Sequence, residues 1–333
     1  MSKIFLDAMG GDNAPASNCL GAIEALRLDP TLTVVLAGKV EEIRPHLKDA
    51  EDVMPRIELL ETPDIITNHD NPVEAIRKKK GSAAVMGMLA VRDKQADAFV
   101  SAGSTGATLA GGMFRLRCID GIDRPALAPL LPNGKGYFCL IDCGANVDCL
   151  PHYLQQFGIM GSAYMQAVAG METPRVGLAN IGEEAEKGNA LAKKAYPLLE
   201  EAPINFIGNV EARDITNDKA DVIVCDGFSG NLILKFMEGV AGTLFSMIKK
   251  ELMADTMSKI GALISKPAFK RVKKIMDYSE VGGAPLLGVK GVVIKAHGSS
   301  NAHAIACAIK QATNMINGNV VQIIEENIKK MAK

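Results

Sequence analysis

Six apolar runs of this chain end in glycine mixed with Ser, Thr, Asp or Asn, residue types that can bind anions through backbone N–H groups and hydroxyls. These turns cover residues 4–12, 99–107, 140–146, 176–183, 222–231 and 292–301. In an open α/β sheet, ligands bind beyond the carboxyl ends of the strands, where such turns meet helix N-termini. One such turn is ordinary loop chemistry, but six together predict a site for a polar ligand with several oxygen atoms.

The elements that must position these turns alternate along the chain. Strand-like runs cover 3–8, 32–37, 56–61, 97–101, 137–142, 175–180, 204–207, 221–225 and 291–296, and helical patterns cover 16–28, 82–93, 105–116, 150–169, 189–200, 231–254 and 301–330. This alternation predicts an α/β fold with a sheet between two helix layers. No low-complexity linker divides the 333 residues, so we expect 1–333 to form a single α/β/α catalytic unit.

Composition narrows the classes of function. A formal net charge of −1 argues against nucleic-acid binding, which needs a basic domain or stripe. The seven cysteines form no CxxC pair, which predicts reduced thiols in a cytoplasmic protein. A secretory leader is missing from the start of the sequence, and we find no run of ~20 apolar residues. We therefore expect a cytoplasmic protein that is at most peripheral to the membrane.

Residues 252–276 combine apolar side chains with lysines, and Pro267 is expected to separate two short helical pieces. This is the composition of an interfacial helix on anionic lipid, but also of a solvated hairpin that packs its apolar side against the protein or a second subunit. The candidate membrane contacts are Leu252, Met257, Ile260, Leu263, Ile264, Phe269, Lys270 and Lys273.

The turns extend into longer motifs, which read LDAMGGD, SAGSTGA, GIDRPALAP, DCGANVD, NIGEEAEKGN, NFIGNVEARD, CDGFSGN and IKAHGSSN. Together they resemble the PlsX family of phosphate acyltransferases over almost the whole chain. The resemblance implies a mixed sheet and two intertwined subdomains with a cleft between them, as in the isocitrate and isopropylmalate dehydrogenases. It also implies a homodimer that associates peripherally with anionic membrane, with 252–276 as the membrane-facing tip.

The reaction implied by the resemblance joins orthophosphate to a fatty acyl group carried on acyl carrier protein (ACP). The products are acyl phosphate and free ACP, and a glycerol-3-phosphate acyltransferase then uses the acyl phosphate in bacterial phospholipid synthesis. Orthophosphate is its own nucleophile, because, like a phosphate monoester with its second pKa of about 6, it is substantially dianionic near neutral pH. The leaving thiol has a pKa of about 8.5, so positioning and charge stabilisation should dominate.

Lys187 is the cation that we select for this chemistry. It follows the strand at 175–180 and precedes Gly188 and Asn189 at a helix start, where a phosphate would meet both an ammonium group and the helix dipole. The alternative is a surface lysine that pairs with one of the neighbouring glutamates.

Three further residues are candidates for catalysis. Asp226 follows an apolar strand and could orient Lys187 or hold the phosphate proton, or it could simply bond to nearby backbone N–H groups. Asn231 is expected at the next helix start, also facing the reacting groups. His297 could protonate the leaving thiolate or donate to phosphate, although such a histidine is more often a bonded turn residue.

The small residues of the turns are the candidate substrate-binding groups. They are Gly10, Gly11, Ser101, Gly103, Ser104, Thr105, Gly106, Asn146, Ser229, Ser299 and Ser300. The other histidines show no ligand spacing, so we expect no metal site and no cofactor. Cys143 and Cys225 each adjoin an aspartate, which raises a thiol pKa and argues against an acyl-cysteine intermediate.

Three other functions stay open at this point. The first is the same reaction on acetyl-CoA or another acyl-CoA, since no local motif reveals the acyl donor. The second is a nicotinamide-dependent decarboxylating dehydrogenase of the same fold, which would need a carboxylate cluster for a divalent metal. The third is a non-catalytic membrane scaffold that recruits lipid-synthesis proteins through the basic segment.

Overall fold

The computed structural model describes residues 2–276 and 280–331. The strands are β1 (Ser2–Asp7), β2 (Leu32–Gly38), β3 (Ile57–Glu61), β4 (Ala98–Ser101), β5 (Ala126–Leu127), β6 (Leu130–Pro132), β7 (Tyr137–Ile141), β8 (Arg175–Asn180), β9 (Asn205–Glu211), β10 (Val222–Val224), β11 (Ala284–Leu287) and β12 (Val292–Lys295). The α-helices are α1 (Ala16–Leu28), α2 (Val40–Ile43), α3 (Pro72–Lys78), α4 (Ala83–Arg92), α5 (Thr105–Gly111), α6 (Pro151–Ala169), α7 (Ala190–Glu200), α8 (Gly227–Leu252), α9 (Thr256–Met276), α10 (Ala302–Asn317) and α11 (Val320–Met331).

The strands form two sheets, and the six glycine-rich turns fall into two groups of three. The first sheet has the order β3-β2-β1-β4-β12-β11-β5 and the second has the order β6-β7-β10-β8-β9. Strands β1, β4 and β12 are parallel neighbours in the first sheet, as are β7, β10 and β8 in the second. Each group of three turns therefore lies at the carboxyl ends of adjacent strands, which explains why one composition recurs.

One short stretch of chain belongs to both sheets. Strand β5 pairs antiparallel with β11, and β6, only two residues further on, pairs antiparallel with β7. The Asp142 carboxylate strengthens this connection, because it accepts the Leu127 N–H at 2.9 Å and the Asn146 N–H at 2.6 Å. Burial raises the pKa of Asp142 to about 6, while these donors oppose the rise.

Two hydrophobic clusters run across both sheets, one on each face. The first includes Ile4 and Leu6 of β1 together with Ile141 of β7 and Phe157 of α6. The second includes Phe5 of β1, whose side chain points to the opposite face because side chains alternate along a strand. Helices cover both clusters, and the result is the predicted three-layer α/β/α fold with a mixed sheet.

All nine predicted strands are present, and their ends differ by a few residues from the prediction. The three strands that the sequence missed, β5, β6 and β11, have two to four residues each and pair antiparallel. Runs this short carry no periodic signal. The predicted helix 301–330 is two helices, because α10 ends at Asn317 and α11 begins at Val320.

Helices α8 and α9 form a hairpin that differs from the expectation at two points. The helix α8 begins at Gly227 rather than at Asn231, and α9 continues through Pro267 instead of breaking there. A proline inside a helix removes one N–H from the helix ladder and its ring crowds the carbonyl four residues earlier, and α9 continues through it where the helix is exposed. Within the described residues, α8 is the one helix long and apolar enough to cross a membrane by length and composition alone.

The start of α8 packs against the loop after β7 with no space to spare. A Cβ at Gly230 would lie 1.9 Å from the Asp142 carbonyl oxygen, a distance that no side chain can accept. The glycine in CDGFSGN therefore serves close packing of α8 against the second sheet, and it fixes where the next residue, Asn231, is held.

We predict that Gly230→Ala lowers the free energy of unfolding by about 3 kcal/mol, since the helix must move away from the Asp142 backbone. Urea unfolding measures the change. The matched control is Gly239→Ala in the same helix, where a Cβ meets nothing within 4 Å. The control should be neutral or stabilising by up to about 1 kcal/mol, because alanine favours helix over glycine. Equal unfolding midpoints for the two variants would contradict this packing argument.

Candidate active site

A cavity of ≈ 480 Å³ lies between the two sheets and receives residues from both groups of turns. Its lining combines apolar side chains with polar and charged ones. It is lined by Thr105, Leu127, Pro129, Leu130, Leu131, Cys143, Gly144, Asn231, Leu234, Lys235, Glu238, Gly283, Ala284, Lys295, Ala296, His297 and Gly298. Turns after β4, β7, β10 and β12 thus meet in one place, as expected for a ligand site at strand ends.

His297 lines the cavity, and its ring is oriented by the serine two residues later. The Ser299 N–H donates to Nδ1 at 3.2 Å, and the Ser299 hydroxyl lies 2.8 Å from the same nitrogen. Because Nδ1 accepts a backbone N–H, the proton of the neutral ring is on Nε2. Partial burial lowers the pKa of His297, and Lys235 lowers it further, so a neutral ring is favoured at pH 7.

Asn231 also lines the cavity, one turn inside α8 rather than at its start. Its side chain contacts the backbone side of Gly144, where an added Cβ would meet Asn231 Cγ at 3.5 Å. The positive φ of Gly144, 94°, brings the 142–146 loop to this position. The structure therefore brings Asn231 and the loop after β7 to the same wall.

Asp226 is the N-cap of α8. Its carboxylate accepts the Ser229 N–H and the Ser229 hydroxyl, both at 2.8 Å. These two bonds are the turn chemistry given above as the alternative to a role with Lys187. The carboxylate and Ser229 are absent from the cavity lining, and both hold the end of α8 in place.

Lys187 lies outside the cavity. It is exposed in the loop between β8 and α7, and its backbone carbonyl accepts the Asn180 side-chain amide at 3.1 Å. Asn189 caps α7 by accepting the Ala192 N–H at 2.9 Å, as the helix-start prediction required. The loop after β8 is thus the one among neighbouring turns of the second sheet that does not contribute to the cavity lining.

The first turn of the chain and the turn after β4 support each other. The Ser101 hydroxyl donates to Asp7 at 2.8 Å and accepts the Gly103 N–H at 2.9 Å. A Cβ at Gly10 would lie 2.6 Å from the Gly103 nitrogen, so these two glycines are required for the close approach. Burial raises the pKa of Asp7, while the Ser101 hydroxyl opposes the rise.

The other predicted substrate-binding residues fall into two sets. Thr105 lines the cavity, next to Gly106 and to Ser104, which caps α5 by accepting the Ala107 N–H at 3.3 Å. Asn146 is buried and donates to the Pro125 carbonyl at 2.8 Å. The remaining ones shape the loops at the rim: the carbonyls of Ser299 and Ser300 both accept from Asn13, and Gly11 has a φ of 101°.

Lys295 is the residue of this cavity that sequence reasoning missed. It is the last residue of β12, only 9% exposed, and lies two residues before His297. No local sequence signal marked it, because a lysine at the end of an apolar strand normally extends its ammonium group into solvent. Within residues 2–276 and 280–331, no three His, Cys, Asp or Glu residues are placed to hold a metal ion.

The fold defines the class of protein first. A phosphotransacetylase from Streptococcus pyogenes matches with a TM-score of 0.61 at 16% identity, over 96% of this chain and 94% of that chain. A 4-hydroxythreonine-4-phosphate dehydrogenase from Klebsiella pneumoniae matches with a TM-score of 0.52 at 12% identity, over 95% and 98%. The fold is therefore that of the phosphotransacetylases and dehydrogenases of this type, as the resemblance implied.

Sequence comparison then gives the family. The family described as "Fatty acid synthesis protein" matches residues 2–323. Proteins named phosphate acyltransferase are 48% identical in Brevibacillus brevis over 98% of each chain, and 51% identical in Alkaliphilus oremlandii over 98% of this chain and 97% of that protein. The chain belongs to this family, the PlsX family of phosphate acyltransferases.

The two cysteines near the site are poor nucleophiles. Burial raises the pKa of Cys143 and of Cys225 well above the usual thiol range, and the neighbouring Asp142 adds to the effect. Of the two, only Cys143 lines the cavity. A thiolate at this position would be scarce at neutral pH, which favours direct attack by the phosphate oxygen.

We predict that changing both Cys143 and Cys225 to serine leaves turnover within about tenfold of wild type, because neither sulfur forms a bond in the reaction. Steady-state kinetics on the folded double variant, with circular dichroism as the control for folding, measures this. A loss beyond about a hundredfold with the fold intact would establish the covalent route instead.

Proposed function

We propose that this protein transfers a fatty acyl group from acyl carrier protein to orthophosphate and releases acyl phosphate. The observation that carries the proposal is a cavity of mixed lining in a member of the phosphate acyltransferase family. Its polar lining residues include Lys295, Thr105 and His297, and its apolar ones include Leu130, Leu131 and Leu234. A small polyanion and an alkyl chain are the two ligands that such a cavity accommodates together.

The reaction brings phosphate and the thioester together in this cavity. Phosphate held by the polar residues attacks the thioester carbonyl, the carbon–sulfur bond breaks, and the carrier leaves as a thiolate. Asn231 and the Nε2–H of His297 supply neutral donors to the developing oxyanion or to the thiolate. Lys187 would join this site only if the β8–α7 loop closed over the cavity, and Asp226 only if its carboxylate gave up its bonds to Ser229.

The helix α8 carries an exposed apolar stripe outside the cavity. Exposed apolar side chains recur every four residues along α8, at Phe228, Leu232, Phe236, Val240 and Leu244. Such a stripe on one helix face is large enough to need a cover. We infer that a second copy of the chain covers it, which would make the protein a homodimer, with the acyl chain running along the edge of this surface.

The 252–276 segment is proposed as a peripheral membrane contact. Met257, Leu263 and Ile264 of α9 are 77%, 72% and 75% exposed, and lysines accompany them on the same helix. Leu252 and Phe269 are half-buried, while Ile260, Lys270 and Lys273 are exposed. A cytoplasmic enzyme held at the membrane in this way could pass acyl phosphate to a glycerol-3-phosphate acyltransferase. In this arrangement 1–333 act as one catalytic unit with α9 as its tip.

We predict that the purified protein forms acyl phosphate from acyl-ACP only when orthophosphate is present. Hydroxylamine converts acyl phosphate to a hydroxamate, which can be quantified by mass spectrometry. The controls are sulfate in place of phosphate and acyl-CoA in place of acyl-ACP. Preference for acyl-CoA would favour the alternative donor, and release of the acyl group without phosphate would contradict the proposal.

We predict that Lys270→Glu with Lys273→Glu weakens binding to phosphatidylglycerol-containing vesicles at least tenfold. Each lysine near an anionic surface contributes about 1 kcal/mol, so reversing two should exceed one decade. Vesicle sedimentation measures the binding. The matched control is Lys193→Glu with Lys194→Glu on α7, which are exposed and outside the tip. Equal losses in both variants would show a nonspecific charge effect and not a tip contact.

A further inference from the structure

Lys295 stands apart from the other basic residues. Within residues 2–276 and 280–331 it is the one lysine or arginine that is buried, and it ends β12 at the wall of the cavity. A lysine on a strand end is normally free to extend into solvent. Here the β-sheet and the loop after β12 hold its ammonium group inside the protein.

The ammonium group has carbonyl partners but no carboxylate in contact. It donates to the Ala296 carbonyl and lies 3.5 Å from the Ala102 carbonyl oxygen. The described residues include no ion pair to Lys295, and Asp7 and Asp12 act on it only across a longer distance. An ammonium group has three donors, so two carbonyls leave one for a ligand.

Of the two acids whose charges act on Lys295, Asp7 already has other hydrogen-bond partners. Asp7 accepts the Ser101 hydroxyl at 2.8 Å and the Met9 N–H at 3.1 Å. The backbone N–H of Asp12 donates to the Gly298 carbonyl at 2.7 Å, which holds that turn against the loop after β12. The charge of Lys295 is therefore poorly balanced by the protein, and burying a charge without a close partner is unfavourable.

The other lysine of the cavity is already neutralised. Lys235 forms an ion pair with Glu238 at 2.8 Å on the same turn of α8. The side chain of Lys235 is also exposed, so water screens its charge. Among the cavity residues, Lys295 is thus the cation whose charge is available to an incoming anion.

We propose that Lys295 is a substrate-binding residue that holds the phosphate group in the cavity, in ion-paired contact with it. This rests on the proposed function, because it takes the phosphate of that reaction as the ligand. Bound phosphate would supply the negative charge that balances Lys295. It would lie beside Thr105 and His297, next to the thioester carbonyl.

Burial lowers the pKa of Lys295 to about 8, partly offset by Asp12 and Asp7. Below this pH the ammonium is charged and should attract dianionic phosphate, and above it the charge is lost. The titratable groups near it are Asp7 of β1, Asp12 of the first turn and His297, and Lys235 and Glu238 of α8 act in turn on that histidine. Phosphate affinity should then fall about tenfold per pH unit above about 8.

The test uses Lys295→Met, which keeps the length of the side chain without its charge, and Lys295→Arg, which keeps the charge. Inorganic phosphate binding to the full protein is measured by calorimetry and by phosphorus NMR. We expect Lys295→Met to weaken phosphate binding at least tenfold and to remove the pH dependence above 8. Lys295→Arg should restore a large part of the affinity.

Lys290→Met is the matched control. Lys290 precedes the same strand, is exposed, and pairs with Asp120 at 2.7 Å. The Lys290→Met variant should bind phosphate with the affinity of the wild-type protein. Phosphate affinity and pH profile unchanged in folded Lys295→Met would overturn the inference.

The proposed function and the role of Lys295 can fail separately. If wild type makes no acyl phosphate but binds phosphate through Lys295, the proposed function fails and the inference stands. If Lys295→Met does not fold, acetic anhydride labelling of wild-type protein replaces it. Phosphate should then protect Lys295, and not Lys290, from acetylation, and equal labelling with and without phosphate would overturn the inference.

Discussion

The cavity depends on the close contact between the first turn of α8 and the loop after β7. The backbone of Gly230 lies directly against the Asp142 carbonyl, while the Asp142 carboxylate accepts N–H groups from Leu127 and Asn146. These contacts connect the short β5–β6 stretch, which belongs to both sheets, with the helix that forms the far wall of the cavity. A methyl group added at Gly230 would displace α8 and so move Asn231 relative to His297. Both of these residues are exposed.

The polar part of the cavity is built from charges that the protein balances unequally. Asp7 is buried and satisfied by Ser101, whereas Lys295 has carbonyl partners and distant acids. An enzyme that binds a dianion benefits from this imbalance, since a fully paired lysine would have to break an ion pair before it could bind the ligand. Phosphate bound there, as proposed, would regain the stability lost by burying an unpaired cation.

The hairpin of α8 and α9 has a packed end that stabilises the fold and an exposed part that is open to a partner. The helix α8 has its start in the packed part of the fold and most of its length exposed, with apolar residues along one face. The Asp226 cap holds the amino end of α8. This residue of the CDGFSGN turn therefore acts as a structural anchor. The exposed part is then available for a second chain or a lipid surface without affecting the core.

The sequence by itself determined most of the elements and the family. Nine of the strands and the capping residues Ser82, Asn189 and Asn301 are visible in hydrophobic periodicity and local cap chemistry, which act over a few residues. The eight motifs identify the family because they are turns with fixed composition. The tertiary structure decided which of these turns meet: β1, β4 and β12 lie side by side although nearly 300 residues separate β1 and β12. It also decided that Lys295, not Lys187, lines the cavity, because the burial of a strand-end lysine depends on how distant loops close over it, and no local pattern records that packing.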